Sequence, residues 1–151
     1  MKDCQVEIHN QQANEIDASG LESLVQTIWA AEGERDAQLS IILVDDKTLT
    51  ALNEKFLGRD YLTDVIAFPI SDHNEPVFEG EIYISVQRIL DNASTFSVAA
   101  SDELMRIAAH GVLHFLGYGD KQEADKKEMS KRENHYLEIV GAGEMKSGRE
   151  P

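Results

Sequence analysis

The run from Leu39 to Val44, Leu-Ser-Ile-Ile-Leu-Val, constrains the fold more than any other segment. A strand with one wet face alternates apolar and polar residues, whereas a strand covered on both faces reads as a near-continuous apolar run. This segment is therefore expected to be a buried central strand. Upstream, Cys4 to His9 does alternate, with Val6 and Ile8 facing one way, as expected of a second strand. Between them Ser19-Gly-Leu-Glu22 reads as a capping box that opens a helix through Leu21, Leu24, Val25, Ile28 and Trp29. Gly33 and the charged residues to Asp36 form a turn. Strand, helix and strand in this order imply a parallel pair joined by a right-handed crossover.

Downstream, Asp45 or Asp46 caps a helix with Leu49, Leu52 and Phe56 on its inner face. Thr63 to Ile70 and Glu81 to Ser85 read as further strands, joined by a polar loop with His73, Asn74 and Pro76. Ser85 caps a helix through Ile89 and Leu90, which Asn92 to Ser97 interrupt. Ser101 opens the next helix, where Asp102 and Glu103 suit the positive N-terminus. A last helix spans about Gln122 to Val140. The expectation is an α/β fold of α+β-like layout, a small mixed sheet of about four strands packed with about five helices. Residues 1–140 form a single domain, and the glycine-rich, polar segment 141–151 is expected to be a disordered tail.

Composition bounds the function. A chain of 151 residues can bury a sizeable core. The one cysteine, Cys4, excludes an internal disulfide and has no His or Cys beside it to make it a nucleophile. The start, Met1-Lys-Asp-Cys-Gln-Val-Glu, lacks the apolar run of a signal peptide. No stretch approaches the roughly 20 apolar residues that span a bilayer. A cytoplasmic location without membrane contact is expected.

The chemistry concentrates in His110-Gly-Val-Leu-His114-Phe-Leu-Gly117-Tyr-Gly-Asp120. Residues four apart on a helix share a face, with Cβ atoms about 5–6 Å apart, so two imidazoles there can meet one ion. Gly117 can adopt a left-handed conformation and end the helix, turning the chain so that Asp120 becomes a third ligand. Three protein ligands leave a position open, the arrangement of a catalytic site rather than a structural one. A bare His-x-x-x-His pair also arises in helices by chance. Here Leu104, Ile107, Ala108, Val112, Leu113, Phe115 and Leu116 make the helix apolar around most of its circumference, and two buried imidazoles need partners. Trp29, at helical spacing from Val25, reads as core. His9, His73 and His135 carry no ligand spacing, and Tyr118 is placed under the turn as packing.

The sequence His-Gly-x-Leu-His, followed by a hydrophobic pair and Gly-Tyr, resembles the YbeY family of metal-dependent endoribonucleases. Leu52-Asn53, Gly58, Asp60 and Thr63-Asp-Val-Ile-Ala-Phe-Pro69 are similar to the family segment ending Thr-Asp-Val-Leu-Ser-Phe-Pro, and Gly80-Glu-Ile-Tyr-Ile-Ser85 to its Gly-Asp-Ile-x-Ile-Ser strand. The resemblance runs from about Leu39 to about Tyr136. Two departures stand out. Asp120 takes the place where the family has a third histidine, which keeps the ligand set plausible but adds a harder donor that shifts preference towards manganese. Leu57 stands where the family commonly has an arginine, and Arg59, two residues later, is the candidate phosphate contact instead.

The resemblance implies a single-strand-specific endoribonuclease holding one divalent ion, zinc first, on His110, His114 and Asp120. It also implies ribosomal RNA as substrate near the small-subunit RNA 3′ end, a role in ribosome quality control, and a small-subunit ribosomal protein as partner. Glu79 to Ser85 would form a cleft wall with the metal helix. The net charge of −14 opposes this reading, because nucleic-acid binders draw affinity from Lys and Arg. The candidate cations are Lys55, Arg59, Arg88, Arg106, Lys126, Lys127, Lys131 and Arg132. The last four alternate with Glu123, Asp125, Glu128 and Glu133, the pattern of a salt-bridged surface helix. Two rivals stay open, a non-catalytic ribosome-assembly factor and a metallopeptidase-like hydrolase. Against the second, the helical peptidase motif His-Glu-x-x-His places its base where this chain has Gly111.

Overall fold

A computed structural model describes residues 2–58, 63–72 and 74–141. In chain order the elements are β1 (Cys4–Asn10), α1 (Leu21–Glu32), β2 (Asp36–Val44), α2 (Asp46–Leu57), β3 (Val65–Pro69), β4 (Val77–Ser85), α3 (Val86–Phe96), α4 (Ala100–Phe115) and α5 (Glu123–Val140). The strands form one mixed sheet in the order β1-β2-β4-β3. β1 and β4 both run parallel to β2, and β3 runs antiparallel to β4. The α/β expectation holds, with β2 an interior strand as its apolar run requires. Among the described residues no helix is long and apolar enough to cross a membrane.

Alternation along β2 splits the core into two layers. Ala37, Leu39, Ile41 and Leu43 join the larger cluster with Leu21, Leu24, Ile28 and Trp29 of α1 and Leu104, Ala108 and Val112 of α4. Ile42 and Val44 face the other way, onto Leu49 of α2 and Ile66 of β3. Cys4 is buried in the larger cluster, and burial pushes its thiol up to about 11, which suits a packed residue and no nucleophile.

Several details differ from the sequence expectation, each for a physical reason. The N-cap of α1 is Gly20, not Ser19, and no side chain caps it. Ser19 lies in the preceding turn, its N–H donating to Asp17 Oδ1, and a Cβ on Gly20 would lie 2.8 Å from Met105 Sδ of α4. Ala99 rather than Ser101 starts α4, because its carbonyl already accepts from Asp102 and Glu103. Asp45 is the cap of α2, accepting from Thr48 N–H at 2.8 Å. Ser85 caps α3 as expected, but Asn92 does not break that helix, which continues to Ser97 at φ 56°. Phe56 points outward, 59% exposed, and only its ring edge meets Phe68. The inner face of α2 is completed by Asn53 instead.

α4 lies close against β4 because of two glycines. A Cβ on Gly111 would sit 3.0 Å from Ile82 Cγ2, and one on Gly80 would sit 2.7 Å from the Phe115 ring. These positions bring helix and sheet together beside the histidines.

Candidate metal centre

His110 and His114 lie one turn apart near the C-terminal end of α4, on the side that packs towards β3. The helix ends in a paired 6→1 and 5→2 closure: Tyr118 N–H donates to Leu113 C=O and Gly117 N–H to His114 C=O, both at 3.1 Å. Gly117 takes φ +99° as this closure requires. The chain then reverses and brings Asp120 back onto the helix end.

His110 Nε2, His114 Nε2 and Asp120 Oδ2 form a triangle with edges of 3.1, 3.2 and 3.3 Å. In a tetrahedral zinc site with bonds of about 2.1 Å, ligand atoms lie about 3.4 Å apart. The three residues therefore fit one small divalent ion, with their donor atoms already converged. His110 is fixed from behind: its Nδ1 meets Glu133 Oε2 at 2.8 Å, which leaves the Nε2 lone pair facing the cluster. Arg106 Nη1 holds the other oxygen of Glu133 at 3.2 Å, and Arg106 Nη2 donates to Asn134 Oδ1 at 2.7 Å.

Glu133, which holds His110 in place, is a residue that sequence reasoning missed. Its place in the Lys/Glu pattern read as surface, yet it is 6% exposed. The signal was its spacing, four after Met129 and three before Tyr136, the buried residues of α5. The outer side of α5 does carry ion pairs, Arg132 with Glu128 and Lys126 with Glu123. Burial disfavours a charged His110, but the Glu133 hydrogen bond and charge, with Asp120 and Asp64, outweigh it and raise its pKa. For Asp120 burial acts upward, but His114 and His110 dominate and hold its carboxyl below the ordinary value.

The triangle opens into a cleft of about 1100 Å³. Its walls differ from expectation. β3 lines it, whereas residues 79–85 of β4 do not, because β4 lies one strand further in, between β2 and β3. Among the described lining residues the carboxylates Glu32, Glu34, Asp64, Asp72 and Asp120 outnumber the cations Arg35 and Lys121. Of the basic residues singled out from the sequence, Arg88 pairs with Asp46, Arg106 with Glu133, Lys126 with Glu123 and Arg132 with Glu128, while Lys55 lies over the Phe56 ring. Arg59 and His73 lie outside the described residues. His135 is exposed, its ring edge against Tyr136.

Tyr118 packs under the turn as expected and does more. Its hydroxyl donates to Glu32 Oε1 at 2.5 Å, while the Tyr136 hydroxyl donates to Glu32 Oε2. Glu32 thus ties the turn that carries Asp120 to the end of α1. Tyr118→Phe is expected to weaken zinc binding about 5–10-fold, the worth of one hydrogen bond, measured by competition with a chromophoric chelator. Tyr136→Phe, which leaves the turn attached, serves as the comparison and is expected to leave zinc affinity unchanged.

The family model described as Endoribonuclease YbeY matches residues 7–141. The chain is 33% identical over 138 residues to Endoribonuclease YbeY of Chlorobium phaeovibrioides, covering 91% of this chain and 92% of the relative. It is 38% identical over 115 residues to the protein of the same name from Flavobacterium psychrophilum, covering 76% and 81%. The solution structure of TM1509 from Thermotoga maritima superimposes with a TM-score of 0.61 at 28% identity, over 91% of this chain and 89% of that one. A family match across nearly the whole described chain, containing both histidines, Asp120 and Glu133, means that this protein belongs to the YbeY endoribonuclease family.

Proposed function

We propose that this chain is a metal-dependent endoribonuclease that cuts single-stranded RNA during ribosomal RNA maturation, near the 3′ end of the small-subunit RNA. The same reading gives it a part in ribosome quality control, in the cytoplasm, with a small-subunit ribosomal protein presenting the substrate. The observation that carries the reading is the convergence of two imidazole nitrogens and one carboxylate oxygen within 3.3 Å of one another at the edge of a cleft. His110, His114 and Asp120 would hold the ion, zinc by the fit of the donor set. When bound, such an ion supplies Lewis acidity towards a phosphoryl oxygen.

The chain's own residues do the rest. Glu133 keeps His110 in the tautomer that presents Nε2. The cleft carboxylates repel a phosphate backbone, so RNA binding by this acidic chain depends on a cation at the triangle. Arg59 is the proposed phosphate contact. Peptide hydrolysis is disfavoured on two counts: Gly111 offers no base, and a Cβ there would crowd Ile82 at 3.0 Å.

Chelator-stripped protein is expected to lose cleavage of a fluorescent single-stranded RNA, and added zinc to restore it, with a duplex of the same sequence cut far more slowly. Zinc uptake should weaken as pH falls, because the raised pKa of His110 sets proton against metal at the same nitrogen. Undiminished cleavage after complete stripping, checked by metal analysis, overturns the reading.

A further inference from the structure

The cleft lies along the free edge of the sheet. Asn53 and Leu57 of α2 line it, and so do His110, Gly111 and His114 of α4. α2 packs with Ile66 and Phe68 on one face of the sheet, whereas α4 packs with Val65 and Ala67 on the other. Helices on opposite faces share a cleft only where the sheet ends between them. Consecutive residues Thr63 to Ala67 line it as well, the mark of an edge and not of a face. Among the described residues no strand pairs with this side of β3.

The ladder fixes which backbone groups point outward. β3 is paired with β4 in a register running from Val65 opposite Ile84 to Pro69 opposite Gly80. Ser85 N–H donates to Asp64 C=O and Ile70 N–H to Glu79 C=O. In an antiparallel ladder, residues that exchange bonds with the partner alternate with residues that do not. Asp64, Ile66, Phe68 and Ile70 thus face β4, and Val65, Ala67 and Pro69 turn their backbone groups to the cleft. Pro69 has no N–H, and Val65 C=O already accepts from Thr63 Oγ1 at 3.2 Å. Among the described residues, Ala67 is the one outward residue of β3 whose N–H and C=O both stand without a partner.

We propose that the N–H and C=O of Ala67 bind the Watson–Crick edge of an unpaired base in the strand to be cut, so that the sheet edge itself selects single-stranded RNA. The inference rests on the endoribonuclease reading and adds how the substrate is recognised. Each of the four bases carries an adjacent donor and acceptor on that edge, available only when the base is unpaired. An extended peptide fits less well. Adding a strand needs a row of alternating groups, and this edge is cut short by the capped carbonyl of Val65 and by Pro69.

The test compares zinc-loaded protein on oligouridine RNA and on the same oligomer built from N3-methyluridine, in which the methyl group replaces the N3 proton. Methylation is expected to weaken binding, read by fluorescence anisotropy, about tenfold, the worth of one hydrogen bond. Ala67→Pro removes the outward N–H without touching the ladder, a substitution that edge strands tolerate. It is expected to lower affinity for unmodified RNA by a similar factor while leaving zinc affinity and melting temperature near wild type. The methylated substrate decides the matter even if that variant folds poorly. Equal affinity for the two oligomers by a protein that cleaves RNA overturns this inference and leaves the enzyme reading intact. Displacement of RNA by a five-residue extended peptide also overturns it. Failure to cleave any RNA in the zinc-loaded state would sink the enzyme reading instead.

Discussion

His110→Ala is expected to lower zinc affinity by 10³-fold or more and to abolish RNA cleavage to the limit of detection. The side chain makes three contacts at once: Nε2 meets both His114 and Asp120, and Nδ1 meets Glu133. A side chain that hydrogen-bonds a metal ligand is worth about 10–100-fold in affinity, and loss of the ligand itself costs more. Removing the ring also strands Glu133 Oε2 at a site 6% exposed, with only Arg106 left to hold that carboxylate. A stability loss of about 1–3 kcal/mol therefore accompanies the loss of metal. Competitive zinc titration and single-turnover cleavage check the first effect, and urea denaturation of the metal-free protein checks the second. Wild-type zinc affinity in the variant would contradict the ligand assignment.

Glu133 comes next in expected size. Glu133→Gln keeps the shape but replaces one acceptor oxygen by an NH₂ group, while both neighbours, Arg106 Nη1 and His110 Nδ1, are donors. One of the two bonds must be lost. If it is the bond to His110, the imidazole is free to rotate or to change tautomer, and zinc affinity is expected to fall about 10–100-fold with no ligand removed. Glu133→Ala goes further, leaving the Arg106 guanidinium, 15% exposed, with Asn134 alone. Breaking a buried ion pair from one side costs about 3–5 kcal/mol, a large part of the 5–15 kcal/mol that holds a typical domain folded. The Gln and Ala variants thus separate positioning from stability. A Gln variant that binds zinc as tightly as wild type would make Glu133 purely structural.

What could be read from the sequence was whatever is local. The β2 run, the Asp45 and Ser85 caps and the Gly117 reversal each depend on a few neighbouring residues, and each appears where expected. The two histidines and Asp120 were readable for the same reason, since one helical turn and one glycine bring them together. The misses involve partners far apart in the chain. Glu133 lies 23 residues from His110, and Glu32 lies 86 from Tyr118. Pattern alone therefore presented the first as a surface charge and gave no role to the second. The Ser19 and Ser101 caps failed because local propensity was overridden by packing and by an earlier carbonyl. The cleft wall was misplaced because strand order is not written in strand sequence. Once β4 is known to lie inside β3, the edge strand is the one left facing the histidines.

The contact between Gly111 and Ile82 has a consequence for what this scaffold can become. The position where a peptidase would need its proton acceptor is also a point where the helix lies close against Ile82 of β4. Installing that acceptor puts a Cβ 3.0 Å from Ile82 Cγ2, so the isoleucine side chain has to yield by a few tenths of an ångström. An engineer seeking protein cleavage on this framework would therefore pair the change at Gly111 with a smaller residue at Ile82.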